Sequence, residues 1–218
     1  MEVIIFMMIY KEKNFIFIHI HKTGGKSIRH AFHKFQDNVP FKYKLWNRIY
    51  SKPLNKKPTY PDYLMLDTHT NAIEYKEFLG VDYDKFFKFT FVRNPFDWQV
   101  SMYFFMKEQK HHFQHDIINK LNFNEYIDWR VNEDAQLQKS FVVDKNDNLI
   151  VDFIGKLENI QKDFSHIQDR LNLHTNLPHI NKSKHKPYYE YFNKKTSNMI
   201  IEAFEEDFNF FGYEKKLI

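Results

Sequence analysis

The sequence predicts an α/β fold, a central parallel sheet flanked by helices, on three observations. Segments 14–21 and 86–92 are short and apolar on both faces, as strands buried inside a parallel sheet are. Each runs into a turn and then an apolar stripe at helical spacing, the strand–helix alternation of α/β proteins. The turns after both strands carry Lys, Arg, Ser, Thr and Gly, where an open α/β sheet places its ligands.

Along the chain, the apolar start 1–10 reads as an N-terminal strand or docking segment, too short to span a bilayer. Glu2 stands where an export signal needs positive charge, so the expected location is cytoplasmic. In 14–21, Phe15, Phe17 and His19 alternate with Ile16, Ile18 and Ile20. After the turn at 22–25, Ile28, Ala31, Phe32 and Phe35 recur at i, i+3, i+4 and i+7, an amphipathic helix. Pro40, Pro53, Pro58 and Pro61 mark 39–61 as a loop-rich insertion. A second strand is predicted at 63–67, then a helix over 71–79 stopped at Gly80. After the strand at 86–92, Asn94-Pro95 supplies an N-cap and a proline at the first helical position. Phe96, Val100, Tyr103 and Phe104 form the buried stripe of that helix. Segment 107–140 is polar and helical in places, best at 123–131. Segments 141–143 and 149–151 are predicted to form a hairpin around 144–148. Leu157, Ile160, Phe164, Ile167 and Leu171 mark a helix. A basic loop follows at 178–187, and Ile201, Phe204, Phe208 and Phe211 predict one last helix ending near Gly212.

The 218 residues fit one domain, 1–218. With 43% hydrophobic and 28% charged residues the chain is globular rather than disordered. It has no cysteine, which excludes a disulfide scaffold, a thiolate zinc site and a cysteine nucleophile. Lys and Arg number 32 against 28 Asp and Glu, a net charge of +4. That permits an anionic ligand without indicating nucleic acid. No metal is expected: His111 and His115 lie four apart on a polar segment that lacks a supporting carboxylate pattern.

The most informative segment is His21-Lys22-Thr23-Gly24-Gly25-Lys26-Ser27. Two glycines let the backbone turn tightly, and the helix that starts there aims its unpaired amides at the turn. Lys22 and Lys26 add charge; Thr23 and Ser27 add hydroxyls. The loop is not a Walker A motif, because Ile20 stands where that motif needs glycine. A second anion site is predicted at Arg93, the end of the strand over 86–92, with Ser101 eight residues on along the next helix. The plainer alternative is an Arg paired with Asp97.

Lys-Thr-Gly-Gly after an apolar strand, then Phe-Val-Arg-Asn-Pro-Phe-Asp with serine eight residues past the arginine, resembles the sulfotransferases that use 3′-phosphoadenosine-5′-phosphosulfate (PAPS). The resemblance is to the carbohydrate type, sulfotransferase family 2, in its short bacterial form. It extends through 152–159, 177–183 and 207–213. It implies a P-loop-like three-layer sandwich and transfer of a sulfuryl group from PAPS to a hydroxyl of a sugar or small molecule, releasing 3′-phosphoadenosine-5′-phosphate. Lys22, Thr23, Gly24, Gly25, Lys26 and Ser27 would hold the 5′-phosphosulfate, Arg93 and Ser101 the 3′-phosphate, and a loop with Asn181 and Ser183 would close over the donor. Segments 39–61 and 107–140 would serve the acceptor. Trp98 departs from the pattern, since relatives often carry arginine there, and Lys26 stands where a hydroxyl is common.

Transfer to a hydroxyl needs a base, and His69, after the short strand at 63–67, resembles the family's histidine in that role. A structural or acceptor-binding histidine is the alternative, and Asp67 either orients His69 or is a plain acid. Lys22 would stabilise charge on the leaving phosphate. Two rival readings remain: a P-loop kinase of a small molecule, with 63–67 as Walker B, and a non-catalytic nucleotide- or glycan-binding module using the basic 182–186.

Overall fold

The computed structural model describes residues 8–37, 41–46, 66–178 and 185–217. Its centre is a four-stranded sheet in the order β1 (Ile9–Tyr10), β2 (Phe15–Ile18), β3 (Phe87–Val92), β4 (Phe153–Lys156). β2, β3 and β4 are parallel, with Phe17 opposite Phe89 and Phe89 opposite Phe153. β1 runs antiparallel to β2, so the sheet is mixed at that edge. The bend at Asn14, left-handed at φ 53°, reverses the chain between them.

Helices flank the sheet, and several of them open on a side-chain cap. α1 (Gly25–Phe32) follows the glycine turn, and α2 (Phe41–Trp46) lies inside the proline-rich insertion that reads as loop. α3 (Ala72–Leu79) opens on an Asn71/Glu74 capping box and stops at Gly80. α4 (Pro95–Glu108) opens on Asn94, whose side chain accepts from the Phe96 amide. α5 (His115–Ile118) and α6 (Phe123–Glu133) occupy the polar stretch after it. α7 (Ile160–Leu171) follows β4.

Three expectations need correction. The strand predicted at 63–67 falls mostly outside the described residues, and Leu66 and Asp67 are not strand. The hairpin over 141–151 shrinks to one bridge, Val143 to Leu149. Its second arm is drawn away, because the Asp152 amide bonds Lys88 O (2.8 Å) and the chain joins β3 as β4. The single C-terminal helix is two, α8 (Lys194–Ala203) and α9 (Glu205–Phe211), parted at Phe204. The acidic Glu205-Glu206-Asp207 suits a new helix N-terminus there.

The aromatic excess goes into the core. Phe17 stacks on Phe89 (centroids 5.2 Å), and Phe32 of α1 meets Phe164 of α7 (5.1 Å). Phe96 of α4 packs edge-on to Phe208 of α9 (5.1 Å). All six are at most 2% exposed. Burying each contributes roughly 1.5–3 kcal/mol. This packing fixes β2, β3, α1 and α4 relative to one another and so positions the loops at the strands' carboxyl ends.

Candidate active site

The turn from β2 into α1 is held from the outside. Every carbonyl from His19 to Lys22 accepts a side-chain hydrogen bond. His19 O accepts from His69 Nδ1 (2.9 Å) and Ile20 O from Thr23 Oγ1 (2.9 Å). His21 O accepts from Trp98 Nε1 (2.7 Å) and Lys22 O from Arg93 Nη1 (3.2 Å). With its carbonyls engaged, the strand end presents little negative potential to the turn. Lys22 (φ 60°) and Gly24 (φ 89°) are left-handed, an alternation that gathers successive amides into an anion-binding nest. The first amides of α1 add to it, having no intrahelical partner. The Ser27 amide is already spent on Gly24 O (3.0 Å).

Both glycines are required. At Gly24, φ 89° excludes a side chain without strain, and a Cβ would lie 2.9 Å from Leu157 Cδ1. At Gly25 a Cβ would fall 1.9 Å from His19 Nε2, because the buried His19 ring lies directly against the turn.

Lys22 extends its ammonium over the Phe105 ring (4.6 Å). Burial, with Arg93 and Lys26 nearby, lowers its pKa to about 8. Lys26 is exposed, while Thr23 and Ser27 are buried.

His69 is positioned through its backbone and through one ring nitrogen. Asp67 accepts from the His69 amide (2.7 Å), and Thr70 Oγ1 donates to Asp67 O (2.9 Å), closing the turn before α3. Asp67 thus orients His69 through the main chain. A carbonyl only accepts, so the bond to His19 O places the proton on Nδ1 and the lone pair on Nε2. The ring stacks on His21 (centroids 3.5 Å) and lies 4.3 Å from His19. Burial disfavours protonation throughout this group, and for His19 and His21 the charge of a neighbouring histidine adds to it. His21 falls to about 4, His19 goes well below the usual imidazole range, and burial lowers His69 as well. All three rings are neutral at neutral pH.

Arg93 is 7% exposed and adjoins the loop, so the two predicted anion sites share one edge. It also pairs with Asp97 (Nε to Oδ2, 2.7 Å), so the plainer alternative holds in that one contact. The Nη2 edge of its fork is the part a phosphate can take. Ser101 is buried one turn beyond Asp97. Ser183 and Asn181 lie outside the described residues.

Trp98 reads in the sequence as a lost cation. In the fold it is a buried donor that holds the loop, with the Arg130 guanidinium 5.6 Å from its ring centroid. The polar segment 107–140 reaches the same edge: Glu108 raises the Lys22 pKa, while His112 and Arg130 lower that of His21. Of its two spaced histidines, His115 uses Nδ1 on Met106 O (2.9 Å). Gln138, Glu158 and Asp207 also reach this edge, and no local pattern around Gln138 marks it.

Fold and site together define a class: an α/β protein with an amide nest and a buried arginine beside a neutral histidine, at the carboxyl edge of its sheet. The particular family follows from comparison. A family model described as the sulfotransferase family matches residues 6–214, nearly the whole chain, and the protein belongs to that family. It is a transferase of the sulfotransferase type. No curated protein and no solved structure matches the chain. Among the described residues no helix is long and apolar enough to cross a membrane.

Proposed function

We propose that the protein transfers the sulfuryl group of PAPS to a hydroxyl of a carbohydrate or small-molecule acceptor, with His69 as general base. The amides of Gly24, Gly25 and Lys26, with Lys22, hold the 5′-phosphosulfate. Arg93 and Ser101 hold the 3′-phosphate. Segment 107–140 borders the acceptor, as the proximity of Glu108 and His112 to Lys22 and His21 suggests.

The observation that carries this reading is the contact between Arg93 Nη1 and Lys22 O. It sets a guanidinium and an amide nest close enough for one nucleoside bisphosphate to bridge them. The chemistry follows from charge and lone pairs. His69 is neutral with its lone pair on Nε2, so it can take the acceptor's proton as the sulfur–oxygen bond forms. Negative charge grows on the oxygen bridging sulfur to the leaving 5′-phosphate, and Lys22 and the amides stabilise it there. The phosphate leaves as 3′-phosphoadenosine-5′-phosphate.

Asp67 bears on the kinase alternative. The acid of the Walker B reading accepts the His69 amide at Oδ1 and so serves the turn that carries His69. Calorimetry separates the two readings. The expected result is tight binding of 3′,5′-ADP without metal and weaker binding of ATP with magnesium; the reverse preference would overturn the assignment. Transfer of labelled sulfate from PAPS to an acceptor panel, read by mass, then tests the activity itself.

A further inference from the structure

Arg93 stands one residue beyond the last paired position of β3, Val92 opposite Lys156. No neighbouring strand continues there, yet its backbone is held as if one did. The Arg93 amide donates to Gln138 Oε1 (2.9 Å), and Gln138 Nε2 donates to Arg93 O (2.8 Å). One side-chain amide reproduces both bonds of a strand partner. Gln138 is fully buried, and its own backbone is pinned in turn: Asp207 Oδ2 accepts from the Gln138 amide (2.9 Å) and Oδ1 from the Lys139 amide (2.8 Å). Asp207 is also fully buried, at the start of α9.

The next residue is gripped from the same end of the chain. The Asn94 amide donates to Glu158 Oε1 (2.7 Å), and Tyr213 Oη donates to Glu158 Oε2 (3.0 Å). Two independent relays therefore run from the C-terminal segment to the Arg93–Asn94 bend, Asp207–Gln138–Arg93 and Tyr213–Glu158–Asn94. None of these residues is needed to close the sheet or to make the amide nest. What they share is the direction in which Arg93 leaves β3.

We propose that Gln138, Glu158, Asp207 and Tyr213 are positioning residues that aim the Arg93 guanidinium at the 3′-phosphate of the nucleotide, so that the C-terminal segment sets selectivity for a 3′-phosphorylated donor. The inference rests on the donor-site reading above. Asp97 and Lys22 O hold the guanidinium itself, but on a frayed strand end that arrangement would shift with its backbone, and the phosphate contact of the Nη2 edge would lose its pre-organisation. Clamping both main-chain groups of Arg93 removes that freedom before the ligand arrives.

The test compares calorimetric affinities for 3′,5′-ADP and for 5′-AMP, which lacks only the 3′-phosphate, in wild type, Gln138→Met and Tyr213→Phe. Gln138→Met keeps the length and apolar bulk and deletes both bonds to Arg93. It is expected to weaken 3′,5′-ADP at least about tenfold and leave 5′-AMP unchanged. Tyr213→Phe removes one hydroxyl from a partly exposed ring; it is expected to fold normally and shift the ratio the same way by about threefold. It keeps the proposal testable should Gln138→Met unfold. A parallel loss for both nucleotides would mean a merely structural role and would overturn the proposal, as would an unchanged ratio. Equal affinities in the wild type would remove the donor reading, and this inference with it. Selectivity that is present in the wild type and survives both substitutions would remove the relays alone.

Discussion

The two ends of the parallel strands differ in how they treat their polar groups. At the amino end lies a cavity of about 540 Å³, lined among others by Lys13, Asp84, Lys88, Asp152 and Arg170. Two of its lysines are ion-paired, Lys88 with Asp152 (3.0 Å) and Lys85 with Asp82, the latter pair largely exposed. Strand amides there are consumed too, the Lys88 amide by Asp152 (2.7 Å) and the Phe87 amide by Asn14 O (2.8 Å). At the carboxyl end of β2 the consumed groups are carbonyls, from His19 to Lys22, and the first amides of the turn are what remain. The comparison teaches that the presence of charged groups is a poor guide to chemistry in this fold, and that the polar groups left unengaged are a better one. At the amino end the polar groups are largely satisfied by one another, while the carboxyl end of β2 has its acceptors turned away and its donors gathered near neutral histidines and two cations.

The largest effect expected from breaking this contrast is at the base. His69→Ala should lower turnover by about 10²–10⁴ beyond any loss of folded protein, measured as labelled sulfate transferred per folded molecule at saturating donor. Near wild-type turnover would remove His69 from the mechanism. Lys22→Ala should cost about 10²–10³ in turnover, the scale for losing one pre-organised donor at developing charge.

A subtler difference lies in pH. Lys22 is charged below about 8 and loses its proton above it, because burial and the nearby Arg93 disfavour the cation. kcat/KM for the donor should therefore fall as pH rises through about 8, and Lys22→Arg should abolish that alkaline limb. The acid limb belongs to His69, whose pKa is lowered from 6.5, so it should lie below pH 6.5. A flat profile from pH 7 to 9.5 would contradict the lysine assignment.

Trp98→Phe keeps the packing and deletes the donor to His21 O, leaving a buried carbonyl unpaired. A loss of about 1–3 kcal/mol in chemical unfolding is expected, together with weaker 3′,5′-ADP binding. The smallest effect is at the other end of the sheet. Lys85→Ala, removing an exposed partner of Asp82, should change neither melting temperature nor sulfate transfer, because exposed pairs contribute little. A loss of transfer there would show that the amino-end cavity takes part in function.

Much of this was legible in the chain. β2, the glycine turn and α1 are local: an apolar run, two glycines and a helical stripe within 15–35. The Asn94-Pro95 cap and α7 were equally plain. β4 was not, because Phe153-Ile154-Gly155-Lys156 is short and carries no alternation; it becomes a strand only when Asp152 pairs with β3. The split at Phe204 was hidden as well, since Ile201, Phe204, Phe208 and Phe211 keep one helical spacing across the break. In the site, Lys22, Arg93 and His69 stood out by residue type and place. Trp98 and Gln138 did not, because an indole N–H and a glutamine amide matter only for the carbonyls they meet, and those belong to residues 77 and 45 positions away.

By itself the sequence determined the alternation of strand and helix, the glycine turn and the residues that carry charge, because periodicity, capping and backbone freedom act over a few neighbouring positions. Only the tertiary structure decided which way each peptide group of the turn points, that Arg93 adjoins it, and that three histidines lie together uncharged. Those outcomes depend on desolvation and on donors brought in from distant segments, and neither is written in any local stretch of chain.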